Sequence, residues 1–229
     1  MEQRTEQWTA VDDYLGELVL GSDPILEAAL DDGAKAGLPQ IQVSPVQGRL
    51  LFLLARMAGA RTILEIGTLG GYSTICLARA LPRDGSLVTL EVDSHHADVA
   101  RNNIARAGFS DIVEIRLGRA LDTLRELEQE RREPFDVVFI DADKASSPDY
   151  FQWAVRLSRP GTVVIVDNAI RRGTVLDAQS SDPDVIGTRK VIELMGSDPR
   201  VSATVIQTVG SKGYDGFGLA MVNDPAASS

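Results

Sequence analysis

Hydrophobic positions along this chain fall into two regimes that meet near residue 60. Before it, apolar residues recur at helical spacing: Trp8, Val11, Leu15, Leu18 and Val19, then Ile25, Leu26, Ala29 and Leu30 after Asp23-Pro24. Steps of three and four residues put such positions on one face of a helix. Ser44-Pro45-Val46-Gln47 announces a third helix, with Ser as N-cap, Pro in the first turn and Gln placed to close a capping box. That helix carries Leu50, Leu51, Leu53, Leu54 and Met57 and ends near Gly59.

Beyond residue 60, short apolar runs alternate with amphipathic stretches. The runs at 61–66, 86–92, 112–117, 135–141 and 162–167 read as strands; the stretches at about 71–81, 95–107, 119–130 and 148–158 read as helices. Val137-Val138-Phe139-Ile140 and Val163-Val164-Ile165-Val166 are apolar on both faces, as in a parallel sheet covered by helices. Strands joined through helices give an open, doubly wound α/β sheet. The last two runs, 201–208 and 216–222, are separated by Gly210-Ser211-Lys212-Gly213-Tyr214-Asp215, too short for a helix, and should form an antiparallel hairpin at one edge. The expectation is one domain: a helical cap over 1–60, an α/β core over 61–222 and a frayed tail over 223–229.

Composition removes several function classes. A formal charge of −10 disfavours a broad nucleic-acid surface, though not a local basic site. No apolar run reaches the ~20 residues needed to span a bilayer. The segment Met1 to Trp8 lacks the basic and apolar regions of a signal peptide. The lone cysteine, Cys76, excludes an internal disulfide framework and fits a reducing cytoplasm; on a helix after a glycine turn it reads as a packed thiol.

The densest chemistry lies in Leu64-Glu65-Ile66-Gly67-Thr68-Leu69-Gly70-Gly71-Tyr72-Ser73-Thr74: a strand, a glycine turn and a helix opening near Gly71. Glycine lets the backbone turn tightly and approach a ligand closely. The acidic Glu65 and the absence of a Lys-Ser/Thr pair argue against a phosphate cradle and for a ligand that carries positive charge. In open α/β sheets ligands sit at the carboxyl ends of the strands. The second strand ends in Glu91, where a carboxylate can accept both hydroxyls of a ribose, and the third runs into Gly118-Arg119-Ala120, small enough to border a flat base. The fourth ends in Asp141-Ala142-Asp143-Lys144 and the fifth in Asp167-Asn168. Two carboxylates and an amide oxygen, without Cys or clustered His, suit a hard cation: Mg²⁺, Mn²⁺ or Ca²⁺. Each of the three taken singly is also a residue that caps helices. Lys144 stands beside them as a candidate base or as a solvated loop lysine.

Leu-Glu-Ile-Gly-Thr-x-x-Gly-Tyr-Ser-Thr, Ile-Asp-Ala-Asp-Lys and Val-Asp-Asn together resemble the cation-dependent, S-adenosylmethionine-dependent O-methyltransferases, over roughly Ser44 to Val222. This class includes the catechol and caffeoyl-coenzyme A enzymes. The resemblance implies a seven-stranded sheet of order 3-2-1-4-5-7-6 with N-terminal helices over the site. It implies that Val43, Glu65, Gly67, Thr68, Ser73, Glu91, Ala120 and Asp141 hold the cofactor, and that Asp141, Asp167 and Asn168 hold the cation. It places Lys144 as general base, with Asp141 in the catalytic set, acting on a small hydroxylated substrate in a homodimer. The 206–216 hairpin shows no counterpart of the acidic residue that anchors the second hydroxyl in the animal enzymes, and Ala145-Ser146-Ser147-Pro148 lacks aromatics to grip a ring. Two further readings compete: methylation of a hydroxylated tRNA nucleoside, which the net charge of −10 opposes, and a cofactor-binding protein without turnover.

Overall fold

The computed structural model describes residues 2–225. Seven strands form one sheet in the order β3-β2-β1-β4-β5-β7-β6. The strands are β1 (Thr62–Ile66), β2 (Ser86–Glu91), β3 (Val113–Leu117), β4 (Phe135–Ile140), β5 (Ser158–Asp167), β6 (Val201–Gly210) and β7 (Gly213–Val222). The expected doubly wound architecture with an antiparallel C-terminal hairpin is what the chain adopts. The chain divides into two compact units, Asp12–Glu133 and a second built chiefly from Pro134 onward. The division falls just before β4, not at residue 60 where the hydrophobic pattern changes.

In the first unit, β1 lies parallel to β2, with Glu65 opposite Thr89, and β2 parallel to β3. Its helices are α2 (Pro24–Lys35), α3 (Pro45–Met57), α4 (Tyr72–Ala78), α5 (Ser94–Arg106) and α6 (Ala120–Gln129). α1 (Glu2–Leu15) precedes them. The Ser44 cap forms as its sequence requires, its Oγ accepting the Gln47 N–H at 3.3 Å. Ala29, Ile75, Ala100 and Ile104 close a core between α2, α4 and α5. The stripe ending in Leu15, Leu18 and Val19 stays exposed: a π-helical turn, Gly16–Leu20, follows α1, and these side chains are 41%, 69% and 69% exposed.

In the second unit, β4 and β5 run parallel with Ile140 opposite Val166, and β7 runs antiparallel to both β5 and β6. β5 starts earlier than its apolar run, at Ser158, because Pro160-Gly161 continues as an irregular extended entry: the Thr162 hydroxyl donates to the Phe135 carbonyl at 2.6 Å. The hairpin is tighter than expected, with only Ser211-Lys212 between paired Gly210 and Gly213. α7 (Ser147–Arg156) matches its amphipathic stretch, whereas α8 (Pro183–Ser197) has no counterpart in the sequence reading. Asp182 caps α8 by accepting the Asp184 N–H at 2.9 Å, and Val185, Thr188, Val191 and Met195 form its buried stripe. The expected frayed tail is held at its start: Asn223 donates to the Arg200 carbonyl at 2.7 Å, while residues 226–229 lie outside the described part.

Candidate active site

In the first unit Thr68 and Ser73 are tied to two strand-end carboxylates, Glu65 and Glu91. Glu65 is fully buried. Ser73 donates to its Oε1 at 2.6 Å, and Thr74 and Thr89 donate to its Oε2 at 2.5 and 2.7 Å. Thr89 Oγ1 lies 2.6 Å from Thr68 Oγ1; since the Thr89 proton points to Glu65, Thr68 is the donor of that pair. A buried charge needs such partners, because an unsatisfied one costs several kcal/mol. Glu65 therefore ties β1, β2 and the start of α4 together, and acts on the turn through Ser73 and Thr68.

Glu91 is also buried, and its carboxylate accepts four backbone N–H groups. Oε2 takes Thr68 at 3.3 Å and Leu69 at 2.8 Å; Oε1 takes Val92 and Asp93, each at 2.9 Å. His96 Nδ1 stands 3.7 Å away. The ribose role expected for Glu91 would require these acceptor positions to be shared. Gly67, at φ 102°, donates to the Leu90 carbonyl at 3.0 Å, and Gly71, at φ 81°, opens α4. Asn103 of α5 holds the turn from outside, donating to the Gly70 carbonyl at 2.9 Å. Ala120 begins α6, just after Gly118, whose N–H donates to the Glu91 carbonyl at 2.8 Å. Val43 is buried immediately before the α3 cap. Thr74, Thr89 and Asn103 were not singled out by sequence; nothing in a hydroxyl or amide alone says which carboxylate or carbonyl it will meet.

A cavity of about 100 Å³ opens elsewhere in this unit, among α2, α3 and α4, lined by Leu26, Phe52, Tyr72, Cys76 and the Arg79–Asp23 ion pair. None of the candidate residues lines it. Cys76 is buried, and burial pushes its thiol up to about 12, which makes it the inert packed thiol expected.

In the second unit, Asp141 follows β4 and Asp167 ends β5. The register that sets Ile140 opposite Val166 makes them neighbours at the carboxyl edge. Lys144 is 7% exposed, and its Nζ donates to Asp141 Oδ1 at 2.9 Å. Asp143 faces its own loop instead: it accepts the Ser146 N–H at 2.9 Å and the Tyr150 hydroxyl at 2.5 Å. Burial would raise the Asp143 carboxyl, but these bonds outweigh it and hold it below its usual range. Asn168 adopts a left-handed conformation, φ 57°. The segment after it is fastened to β7, where Asp215 Oδ1 accepts the N–H groups of Ile170, Arg171 and Gly216 at 3.0, 2.9 and 2.9 Å. Asp215, passed over in the sequence, is thus the anchor of this segment.

Among the described residues no three or more His, Cys, Asp or Glu side chains gather to hold a metal ion. The candidate set has only two carboxylates, Asp141 and Asp167; its third donor is the Asn168 amide. Three oxygen donors on adjacent strand ends fit a hard cation that keeps water or substrate oxygens in its other positions.

Residues 19–220 match the model of the O-methyltransferase family. Two relatives, each a catechol O-methyltransferase, are 52% identical to this chain. The one from Niastella koreensis aligns over 93% of this chain and 96% of its own, the one from Mycobacterium tuberculosis over 93% and 94%. An O-methyltransferase from Bacillus cereus, solved with SAH, superposes with a TM-score of 0.94 at 57% identity, covering 96% of this chain and 100% of its own. One from Streptomyces achromogenes, involved in tomaymycin synthesis and solved with SAM, gives 0.93 at 49%, covering 96% and 99%. With its fold and nearly its whole length matched in this way, the chain belongs to the O-methyltransferase family.

Proposed function

We propose that this enzyme uses S-adenosylmethionine and a divalent cation to methylate an oxygen of a small catechol-like substrate with vicinal oxygens. The observation that carries the reading is the Lys144–Asp141 pair at 2.9 Å, at the strand edge that also bears Asp167 and Asn168. The 52% identity to two catechol O-methyltransferases supports the substrate class, and the SAH- and SAM-bound relatives support the cofactor.

When bound, S-adenosylmethionine supplies an electrophilic methyl group on a sulfonium, and the cation supplies Lewis acidity toward the substrate hydroxyl. The chain's own residues do the rest. Asp141, Asp167 and Asn168 would hold the cation. Glu65 and Glu91 stiffen the turn Gly67–Ser73, so that the cofactor meets a preformed backbone; Val43, Thr68 and Ala120 would complete its binding surface. Lys144, as the neutral amine, would take the proton from the hydroxyl that is to be methylated, becoming the ammonium; its stem is fixed by burial and its nitrogen is aimed at the acidic edge. Proximity and orientation then supply most of the rate.

The reading includes a homodimer. It is supported by apolar surface on the N-terminal helices, where Val11, Leu18 and Val19 are 48%, 69% and 69% exposed. Light scattering at micromolar concentration should report twice the chain mass. The lone buried Cys76 supports a place in a reducing cytoplasm. No helix among the described residues is long and apolar enough to cross a membrane. The deciding experiment is methyl transfer from S-adenosylmethionine to catechols, hydroxycinnamoyl thioesters and tRNA, with and without Mg²⁺. Transfer to catechol alone, and only with Mg²⁺, is the expected result; transfer to tRNA in place of catechol would overturn the substrate class.

A further inference from the structure

α8 touches two stretches of its unit: one carries Lys144, and the other follows Asp167-Asn168. A Cβ built on Gly187 would fall 2.1 Å from the Lys144 carbonyl oxygen and 2.8 Å from the Ala145 Cα. Both atoms are backbone, so neither can swing aside as a flexible side chain would. The Lys144 carbonyl also accepts the Ser147 N–H at 3.2 Å, which fastens it from the α7 side. One turn before Gly187 and on the same face, Asp184 Oδ2 accepts from Arg171 Nη2 at 3.2 Å. Arg189 donates to the Val175 carbonyl. The helix therefore also grips the 3₁₀ segment Arg171–Leu176, which follows Asp167-Asn168 and holds Arg171 and Arg172 in the left-handed region at φ 52° and 55°. Left-handed residues persist only where surrounding contacts enforce them.

We propose that Gly187 and Asp184 are positioning residues, through which α8 sets where Lys144 and the segment after Asn168 stand. The inference rests on the reading of Lys144 as base. Nothing in α8 bears a reacting group: Gly187 acts through the backbone of Lys144, and Asp184 through Arg171. Lys144 is almost wholly buried, so its stem has little freedom to absorb a shift of its own backbone. Misplacing a catalytic group by about 1 Å costs ~10²-fold in rate, and a Cβ at 187 forces a displacement of that order.

The test compares Gly187→Ala, Lys144→Met and the double variant in the full chain. It uses methyl transfer to catechol at saturating cofactor, with S-adenosylhomocysteine affinity by calorimetry and a melting curve for each protein. Gly187→Ala should lower kcat about tenfold or more with cofactor affinity within about twofold, and the double variant should be no slower than Lys144→Met, because a residue that acts through Lys144 has nothing left to act on. A loss by the same factor in both backgrounds, or a wild-type kcat in Gly187→Ala, overturns the positioning role. A wild-type kcat in Lys144→Met overturns the base assignment, and the positioning role with it; a slow Lys144→Met beside a fast Gly187→Ala overturns the positioning role alone. If Gly187→Ala does not fold, Asp184→Asn carries the test, since Asp184 is 44% exposed and can change without disturbing the core. It should weaken Mn²⁺ binding, read by calorimetry on the cofactor-free protein, about threefold while leaving S-adenosylhomocysteine affinity unchanged. Wild-type Mn²⁺ affinity overturns the inference.

Discussion

The N–H of Leu69, a residue held in the left-handed region at φ 51°, is bound by Glu91 Oε2 at 2.8 Å. The carboxylate at the end of β2 thus stabilises a backbone conformation that a leucine would not choose unaided. Glu91→Ala should weaken S-adenosylmethionine binding by about 1.5–3 kcal/mol, the scale of a lost charged hydrogen bond. It should also lower the melting temperature of the cofactor-free protein, because four backbone donors lose their acceptor. Calorimetry that finds full affinity would move the ribose away from Glu91, and a lowered melting temperature would then leave only its hold on the turn.

Lys144→Met keeps most of the stem and removes the proton acceptor. The expected result is a fall in kcat of ~10²-fold or more, the usual scale for loss of a general base, with cofactor affinity little changed. Nitrocatechols, whose hydroxyl is already acidic, should show a smaller defect. Equal defects for acidic and ordinary catechols would make Lys144 an orienting group rather than a base.

Chelation provides a separate check. EDTA should abolish transfer, and Mg²⁺ or Mn²⁺ should restore it; Asp167→Ala and Asn168→Ala should raise the cation concentration needed for half-maximal rate. Full turnover by metal-stripped enzyme would remove the cation from the mechanism.

The Asp23–Arg79 pair sets a pH dependence of stability. The hydrogen bonds from Arg79 hold the Asp23 carboxyl below its usual value of 3.8, with burial pulling the other way. A carboxyl depressed on folding contributes stability that is complete above 3.8 and lost as pH falls through its lower folded value. Asp23→Asn keeps an N-cap on α2 and removes the charge. Because the pair is about 30% exposed, the cost at pH 7 should be only about 0.5–1 kcal/mol. In urea melts that difference should shrink toward zero well below pH 3.8; a constant difference down to pH 2 would assign it to packing.

The parts of the fold that were legible in the sequence are those where burial writes a period into the residues. β4 and β5 announce themselves as doubly apolar runs, and α3 by Ser44-Pro45. α8 was missed although Asp182-Pro183 is a sound helix start and Val185, Thr188, Val191 and Met195 follow at helical steps; Gly187, beside that stripe, sits where the backbone of Lys144 must fit. The Pro160-Gly161 pair hid the start of β5. For the site, strand ends pointed to Glu65, Glu91, Asp141 and Asp167. Lys144 was legible beside Asp141 in the same short run, but the other groups that hold these carboxylates, or the segments beside them, were not: Thr74, Thr89 and Asp215. Their meeting depends on register and loop path, which no local pattern encodes.

The buried Glu65 has a consequence for how the sheet finds its alignment. Glu65 and Thr89 face each other across β1 and β2, and the hydroxyl that reaches the carboxylate belongs to that one pairing. Slide β2 by a single residue and Thr89 turns to the opposite face, since side chains alternate along a strand. The apolar neighbours Val88 and Leu90 would tolerate such a slip far better than the carboxylate would. A charge sealed from water with a donor missing costs several kcal/mol, so the misaligned sheet is penalised before any ligand arrives. The carboxylate that braces the glycine turn therefore also proofreads the pairing of the strands beneath it.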